Sequence, residues 1–395
     1  MSKEKIQSVT VVGAGNMGHG IAEVIALAGY EVTLHDIDED ALQTGYEQIT
    51  QSLQDLSTSG RIDESPSEIV ARIDTEPNSA NAIENVDLVI EAVSEDMGLK
   101  RNVFSELDEH APADAILATN TSSLSITDIG EGTNRSSKVV GMHFFNPPVL
   151  MQLVEVIYGE ETSERTVETV ADFARALGKT PISVEKDVHG FVVNNVLAPF
   201  SVEADHMVSD GESSIRAIDS AMVHRRGYPM GPFELGDMSG IDVTYEAQDA
   251  GDKPVPPLME EKYEAGEYGR KTGKGYYDYD LGDGAEYSIA DGSEVDTFRI
   301  EACLINEAAS LIEREIATAA DIDKGVKLGA GFPEGICERA DAIGIGVVYN
   351  KLRTLYEASG HERHKPSPRL KTMVEEGRTG KTAGEGFHTY DNDEQ

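Results

Sequence analysis

The sequence has little cysteine, little positive charge and no long apolar run. Its 2 cysteines, Cys303 and Cys337, form no disulfide framework in a reducing compartment and are too few for a zinc ribbon. No metal site is expected. No apolar stretch approaches the ~18 residues that a membrane-crossing helix needs, so no membrane partner is expected. Residues 1–5 lead into an apolar run that stops at Gly13, unlike a signal peptide, so a cytoplasmic location is the expectation. The 33 Lys and Arg face 72 Asp and Glu, a net charge of −39 over 395 residues. Without clustered Lys and Arg there is no groove for nucleic acid phosphates. Acidic chains are often disordered, but here the acids are spread along periodic segments. A solvated acidic shell in a salt-rich, halophilic cytosol fits better, where a Debye length of ~3 Å screens self-repulsion.

What is present is a change of pattern near residue 187. Before it, strands alternate with helices, which implies a parallel sheet with helices on both faces. Strands are expected at 6–12, 31–36, 87–92, 115–119, 138–145, 153–157 and 180–184, and helices at 16–28, 40–56, 67–73 and 163–177. After it come helices with Gly/Pro corners, and a repeat. Glu203-Ala204 returns as Glu307-Ala308, Ile218-Asp219 as Ile322-Asp323, and Asp237 and Tyr245 as Asp341 and Tyr349, always 104 residues later. A constant, gapless offset indicates duplication. Each copy closes with a glycine-aromatic tail, residues 271–279 and 382–390, and the Gly/Asp/Ser-rich 281–296 reads as a linker. The expected domains are therefore an α/β unit over 1–186 and two tandem all-α domains over 187–281 and 296–395.

Gly13-Ala-Gly15-Asn16-Met17-Gly18 is a G-x-G-x-x-G loop with a strand before it, a helix after it and an acid downstream. Gly13 permits the tight turn, Gly15 lets a pyrophosphate approach, and Gly18 lets helix and strand pack closely. The helix N-terminus supplies N–H groups for the anion. Asp36, ending the second strand, is placed to bond an adenine-ribose diol and to repel a 2′-phosphate. That favours NAD over NADP; the alternative is a structural turn with a solvated Asp.

His143 lies in Gly141-Met-His-Phe-Phe-Asn-Pro147. A lone histidine among aromatics is commonly a core residue, but Glu155 shares a strand face with Leu153 and Ile157. A buried carboxylate must be paired. Each satisfies the other, which yields an oriented, more basic imidazole suited to general base work near neutral pH. Ser122, in Thr119-Asn-Thr-Ser122-Ser, follows a strand at the carboxyl edge where ligands bind in open α/β sheets. A turn or helix cap is the other reading, and composition does not choose. Asn194 opens the helical region; its repeat counterpart is Phe298, so the fold of the copy does not require it.

Together these segments resemble the 3-hydroxyacyl-CoA dehydrogenases over nearly the whole length. Asp87-Leu-Val-Ile-Glu91-Ala, Gly190-Phe-Val-Val-Asn194 and Tyr228-Pro-Met-Gly-Pro-Phe-Glu-Leu extend the match. The resemblance implies a Rossmann-type NAD-binding domain followed by helical domains like those of 6-phosphogluconate dehydrogenase. It implies NAD-dependent oxidation of (S)-3-hydroxyacyl-CoA in fatty-acid β-oxidation or short-chain hydroxybutyryl-CoA metabolism. His143 is then the proton acceptor, Glu155 its support, and Ser122 and Asn194 bind the substrate hydroxyl. Glu91, Asn146 and Lys271 match positions that contact the cofactor. The second helical copy is expected to pack on the first, in a monomer or homodimer. Two departures stand out: His189 and Asn195 replace the family's usual Pro and Arg. The lysine that meets CoA phosphates corresponds to about Ser59, leaving Arg61 as the nearest cation. Competing readings are a same-family enzyme for a sugar acid and a catalytically silent NAD-binding relative.

Overall fold

The computed structural model describes residues 6–251, 253–280 and 284–390. The expected domain ends at 1, 281 and 395, and residues 1–5 of the stretch weighed for a signal peptide, lie outside the described residues. The chain forms two compact units, Met1–Phe191 and Val192–Gln395.

In the first unit β1 (Ser8–Val12), α1 (Asn16–Leu27), β2 (Glu31–His35), α2 (Glu39–Thr58), α3 (Pro66–Val70) and β3 (Ile73–Glu76) come first. Next are α4 (Ser79–Ile83), β4 (Leu88–Glu91), α5 (Met97–His110), β5 (Ile116–Thr119) and α6 (Ile126–Gly130). Then come β6 (Val139–Phe144), β7 (Leu153–Ile157), α7 (Glu164–Ala176) and β8 (Thr180–Val184). The strands make one 8-stranded sheet in the order β3-β2-β1-β4-β5-β6-β7-β8. β6 and β7 are buried at every residue, as strands covered on both faces should be.

The sheet departs from the all-parallel expectation at one place: β7 runs antiparallel to β6. The link between them, residues 145–152, is shorter than the dozen or so residues that a parallel crossover needs. The helix expected over 67–73 stops at Val70, because Ile73 is drawn into the sheet opposite Val32. Helices α4, α5 and α6 arise where none was expected. Capping explains α5: the Asp96 carboxylate accepts the Leu99 N–H at 2.7 Å.

The second unit contains α8 (Val193–Ser209), α9 (Ile215–Arg226), α10 (Pro232–Ser239), α11 (Ile241–Ala250) and α12 (Pro257–Glu264). The same series returns as α13 (Thr297–Glu313), α14 (Ala319–Gly329), α15 (Ile336–Ile343), α16 (Ile345–Ser359) and α17 (Pro368–Glu375). The fixing contacts return too. Asp219 accepts the N–H groups of Phe233 and Glu234 at 3.0 and 2.9 Å, and Asp323 those of Cys337 and Glu338 at 2.7 and 3.2 Å. Asp237 binds the first tail through the N–H groups of Tyr276 and Tyr277, and Asp341 the second through those of Phe387 and His388. Glycine is required beneath each: a Cβ on Gly275 or Gly386 would lie 2.0 or 1.9 Å from the aspartate oxygen.

α8 packs on α13. Buried Glu203 of α8 is held by Arg299 of α13, by Arg363 at 2.9 Å and by His364 at 3.0 Å. These contacts hold its carboxyl down at about 2, although burial alone would raise it. Glu203, Cys303 and His364 lie close enough to hold a cation. The two guanidiniums already on that carboxylate make it an ion-pair cluster instead. Residues 284–296 of the segment read as a linker are packed rather than loose: Arg225 donates to the carbonyls of Gly292 and Val295 at 2.7 and 2.9 Å.

Candidate functional site

The carboxyl edge of the sheet carries the first unit's candidate residues. At the end of β1, Gly13 adopts φ +101°, and a Cβ there would meet the Ala92 carbonyl at 2.7 Å. A Cβ on Gly18 would meet the Gly13 carbonyl oxygen at 1.7 Å, so helix and strand approach as closely as backbone allows. Gly15 differs, with open space where its Cβ would be. It also caps α1 without any side-chain hydrogen bond, and the first turn of α1 holds no acid. Free N–H groups facing open space at a helix start fit the pyrophosphate of a dinucleotide. Asp36 stands beside this loop and accepts the Ala14 N–H at 2.9 Å. Asn16 donates to the Asn146 side-chain oxygen at 3.3 Å, which joins the loop to the segment after β6. Met17 is partly buried against the core.

The reversed strand makes the histidine pair. In the antiparallel register His143 lies directly across from Glu155. The imidazole Nδ1 and the carboxylate Oε2 are 2.7 Å apart, with Glu155 at 0% exposure. Phe145 and Phe191 stand against the ring, with centroids 4.6 and 5.9 Å away. With Nδ1–H donating to Glu155, Nε2 keeps its lone pair for an incoming proton.

Glu91 requires a correction. It was expected to contact the cofactor, but its side chain is fully buried. Its oxygens accept from the Val93 N–H, the Lys100 ammonium and the Thr119 hydroxyl, all at 2.7 Å. With no oxygen left facing outward, it supports the loops instead. The more exposed carboxylate at this edge is Glu95, which sequence reasoning missed. It accepts from the Thr121 hydroxyl at 2.6 Å and from the Ser122 N–H and Oγ at 2.8 and 3.2 Å. Burial raises its affinity for a proton. The Lys100 ammonium at 3.4 Å and these hydrogen bonds outweigh burial, so the carboxyl stays below its ordinary range. An acid four residues beyond the end of β4 was the available signal. Asn120 accepts the Phe144 N–H at 2.8 Å, which ties the Ser122 loop to the histidine strand.

Arg61 is exposed and lines a cleft of about 620 Å³ with Asn16, Ser52, Ser59 and Asn146. The same cleft carries Glu23, whose carboxyl burial pushes up to about 7. The remaining candidates lie in the second unit. Asn194 is an exposed residue in the first turn of α8. Lys271 pairs with Asp242, and its ammonium stands 5.6 Å from the centre of the Tyr268 ring.

Family models agree with this geometry. The 3-hydroxyacyl-CoA dehydrogenase NAD binding domain matches residues 8–188, and the C-terminal domain of the same family matches residues 190–279 and 297–390. The chain belongs to the 3-hydroxyacyl-CoA dehydrogenase family. Its first unit is the family's NAD-binding domain, NAD is its cofactor, and it is an oxidoreductase. It is 40% identical over 289 residues to the human mitochondrial hydroxyacyl-coenzyme A dehydrogenase, covering 69% of this chain and 91% of that one. It is equally 40% identical, over 279 residues, to the 3-hydroxybutyryl-CoA dehydrogenase of Clostridioides difficile, covering 69% of this chain and 99% of that one. The crystal structure of 3-hydroxybutyryl-CoA dehydrogenase from Escherichia coli K12 superposes with a TM-score of 0.88 at 27% identity. It covers 95% of this chain and 100% of its own, so the dehydrogenase alignment there reaches into the second helical copy.

Proposed function

We propose that the protein oxidises (S)-3-hydroxyacyl-CoA to 3-oxoacyl-CoA, in fatty-acid β-oxidation or short-chain 3-hydroxybutyryl-CoA metabolism. The observation that carries this reading is the His143–Glu155 pair, 2.7 Å apart at the sheet edge that also bears the dinucleotide loop. NAD, when bound, would supply the acceptor for the hydride that leaves C3 of the substrate. His143 takes the hydroxyl proton at Nε2, while buried Glu155 fixes the tautomer and stabilises the imidazolium that forms. Ser122 and Asn194 bind the oxygen that changes from hydroxyl to carbonyl, and Asp36 bonds the adenine ribose. Asn16, Asn146 and Lys271 complete the cofactor set, and Arg61 meets the CoA arm.

NADH oxidation with acetoacetyl-CoA, against free acetoacetate and sugar acids, separates this reading from the sugar-acid alternative. His143→Gln is expected to lower turnover by ~10²–10⁴-fold with NAD affinity retained. Near-normal turnover in that variant would remove His143 from the mechanism and favour another proton acceptor.

We divide the chain into a NAD-binding domain over 1–186 and helical domains over 187–281 and 296–395, the second standing in cis where a dimer mate would sit. Among the described residues, no helix is long and apolar enough to cross a membrane. We place the enzyme in a salt-rich cytoplasm on the strength of its net charge of −39. Its melting temperature should then fall as salt is withdrawn, since like charges lose their screening. An unchanged melting temperature in dilute buffer speaks against that placement.

A further inference from the structure

Glu23 is an acid that the reaction above does not use. It stands on α1 at 1% exposure, and its Oε1 has no hydrogen-bond partner among the described residues. An orphaned buried carboxyl oxygen is costly, and more so when charged. Burial accordingly pushes the group up to about 7, against the pull of a hydrogen bond with the Ser52 side chain. A carboxyl that keeps its proton is a donor, and with Ser52 on its other side the free oxygen is the one left to donate.

Glu23 helps to line the cleft of about 620 Å³ that also holds Arg61. Residues 146–150 lie against α1 there, so close that a Cβ on Gly20 would stand 3.0 Å from Pro148 Cδ. Pro147, Pro148 and Leu150 make this wall apolar, while Gln48 and Gln51 of α2 bring side-chain amides. An apolar strip, amides and a cation suit an extended ligand that alternates carbon with amides and ends in phosphate. The other titratable groups of the cleft are His19, one turn before Glu23 on α1, and Asp55 of α2. The His19 Nδ1 is spent on the Gly15 carbonyl at 2.8 Å. β2, β3 and α3 also pack on α1, but none of their titratable residues, Glu31, His35, Glu68, Asp74 and Glu76, lines the cleft.

We propose that protonated Glu23 donates a hydrogen bond from Oε1 to an amide carbonyl of the CoA arm, and so ties substrate affinity to pH. The proposal rests on the reading that Arg61 meets the CoA arm. Once ionised, Glu23 has no proton to give, and its charge repels both that carbonyl and the phosphates. Affinity therefore falls as the carboxyl loses its proton.

The test measures the dissociation constant of acetyl-CoA by titration calorimetry on the full chain between pH 6 and pH 8. Acetyl-CoA carries the arm without an oxidisable hydroxyl. Glu23→Gln keeps the shape and an N–H donor at every pH, while His19 and the ligand phosphates titrate as in wild type. The ratio of the wild-type to the Glu23→Gln constant should therefore grow about tenfold from pH 6 to pH 8, as expected for a carboxyl at about 7. Glu23→Met fills the same space without a donor. It should bind about fivefold more weakly than Glu23→Gln at every pH, the worth of one hydrogen bond. A ratio that stays constant overturns the proposal, whether or not Glu23→Met folds. So does a Glu23→Met protein that binds as tightly as Glu23→Gln, because the acid then acts by charge alone. Failure of acetyl-CoA to bind wild type even at pH 6 counts instead against the acyl-CoA reading on which the proposal rests.

Discussion

The two helical copies are the same scaffold with different contents. Both keep the aspartate that fixes the first turn of the third helix, Asp219 or Asp323. Both keep the aspartate under the tail, Asp237 or Asp341. Both keep a cation 5.8 Å from a tyrosine ring, Arg270 at Tyr279 and Lys381 at Tyr390. They part where chemistry is assigned. Asn194 becomes Phe298 and, in the tail, Lys271 becomes Thr382. What both retain is what the helices need in order to pack. What only the first retains are Asn194 and Lys271, the residues proposed for the site.

Removing one half gives the largest effect. Deleting everything after residue 280 uncovers the face of α8 on which buried Val196, Phe200 and Ala204 lie. The shortened protein should aggregate or become an obligate dimer by size-exclusion chromatography. A stable, active monomer would mean that the second copy is a mere appendage.

Next in size is the ion-pair cluster that joins the copies. Arg299→Ala should cost ~3–5 kcal/mol in urea unfolding, because Glu203 is left buried with less of its countercharge. The pH dependence has a definite sign. Glu203 is held at about 2 in the folded protein against an ordinary 4.5. Its contribution is complete above pH 4.5 and fades as pH falls toward 2. Glu203→Gln should therefore narrow its stability gap to wild type on acidification. A gap independent of pH would show that the carboxylate is not preferentially charged in the folded state.

The smallest effect sharpens the comparison best. Lys271→Thr, which copies the second tail into the first, should raise KM for NAD about tenfold, or 1.4 kcal/mol. Its melting temperature should barely move, since a half-exposed ion pair such as Lys271–Asp242 contributes little. The reciprocal Thr382→Lys should change neither. Equal effects in both tails would show that the lysine serves the scaffold.

Much of this is legible in the sequence. The glycine loop was legible because backbone crowding leaves no substitute at Gly13 and Gly18. The His143–Glu155 pair was legible because a buried acid and a buried imidazole each need a partner. Its strand direction was misread, although the short 145–152 link carried that information. Glu91 and Glu95 show the limit more sharply. Both are acids at the same sheet edge, and only the placement of Lys100 and Thr119 decides which is covered. Composition misled once, over the Gly/Asp/Ser-rich segment, because carbonyls bound by Arg225 leave no trace in composition.

The packing of α8 on α13 within one chain also changes how the enzyme answers to dilution. Subunits held only by association separate as concentration falls, and their stability depends on how much protein is present. A tethered mate is always there, at an effective concentration on the order of millimolar set by the tether rather than by synthesis. Its occupancy of the α8 face is then first-order, the same in a scarce enzyme as in an abundant one. The tether also lets the halves drift apart. In a symmetric pair every substitution is made twice, whereas here Asn195 and Arg299 occupy equivalent places in one molecule and need not match.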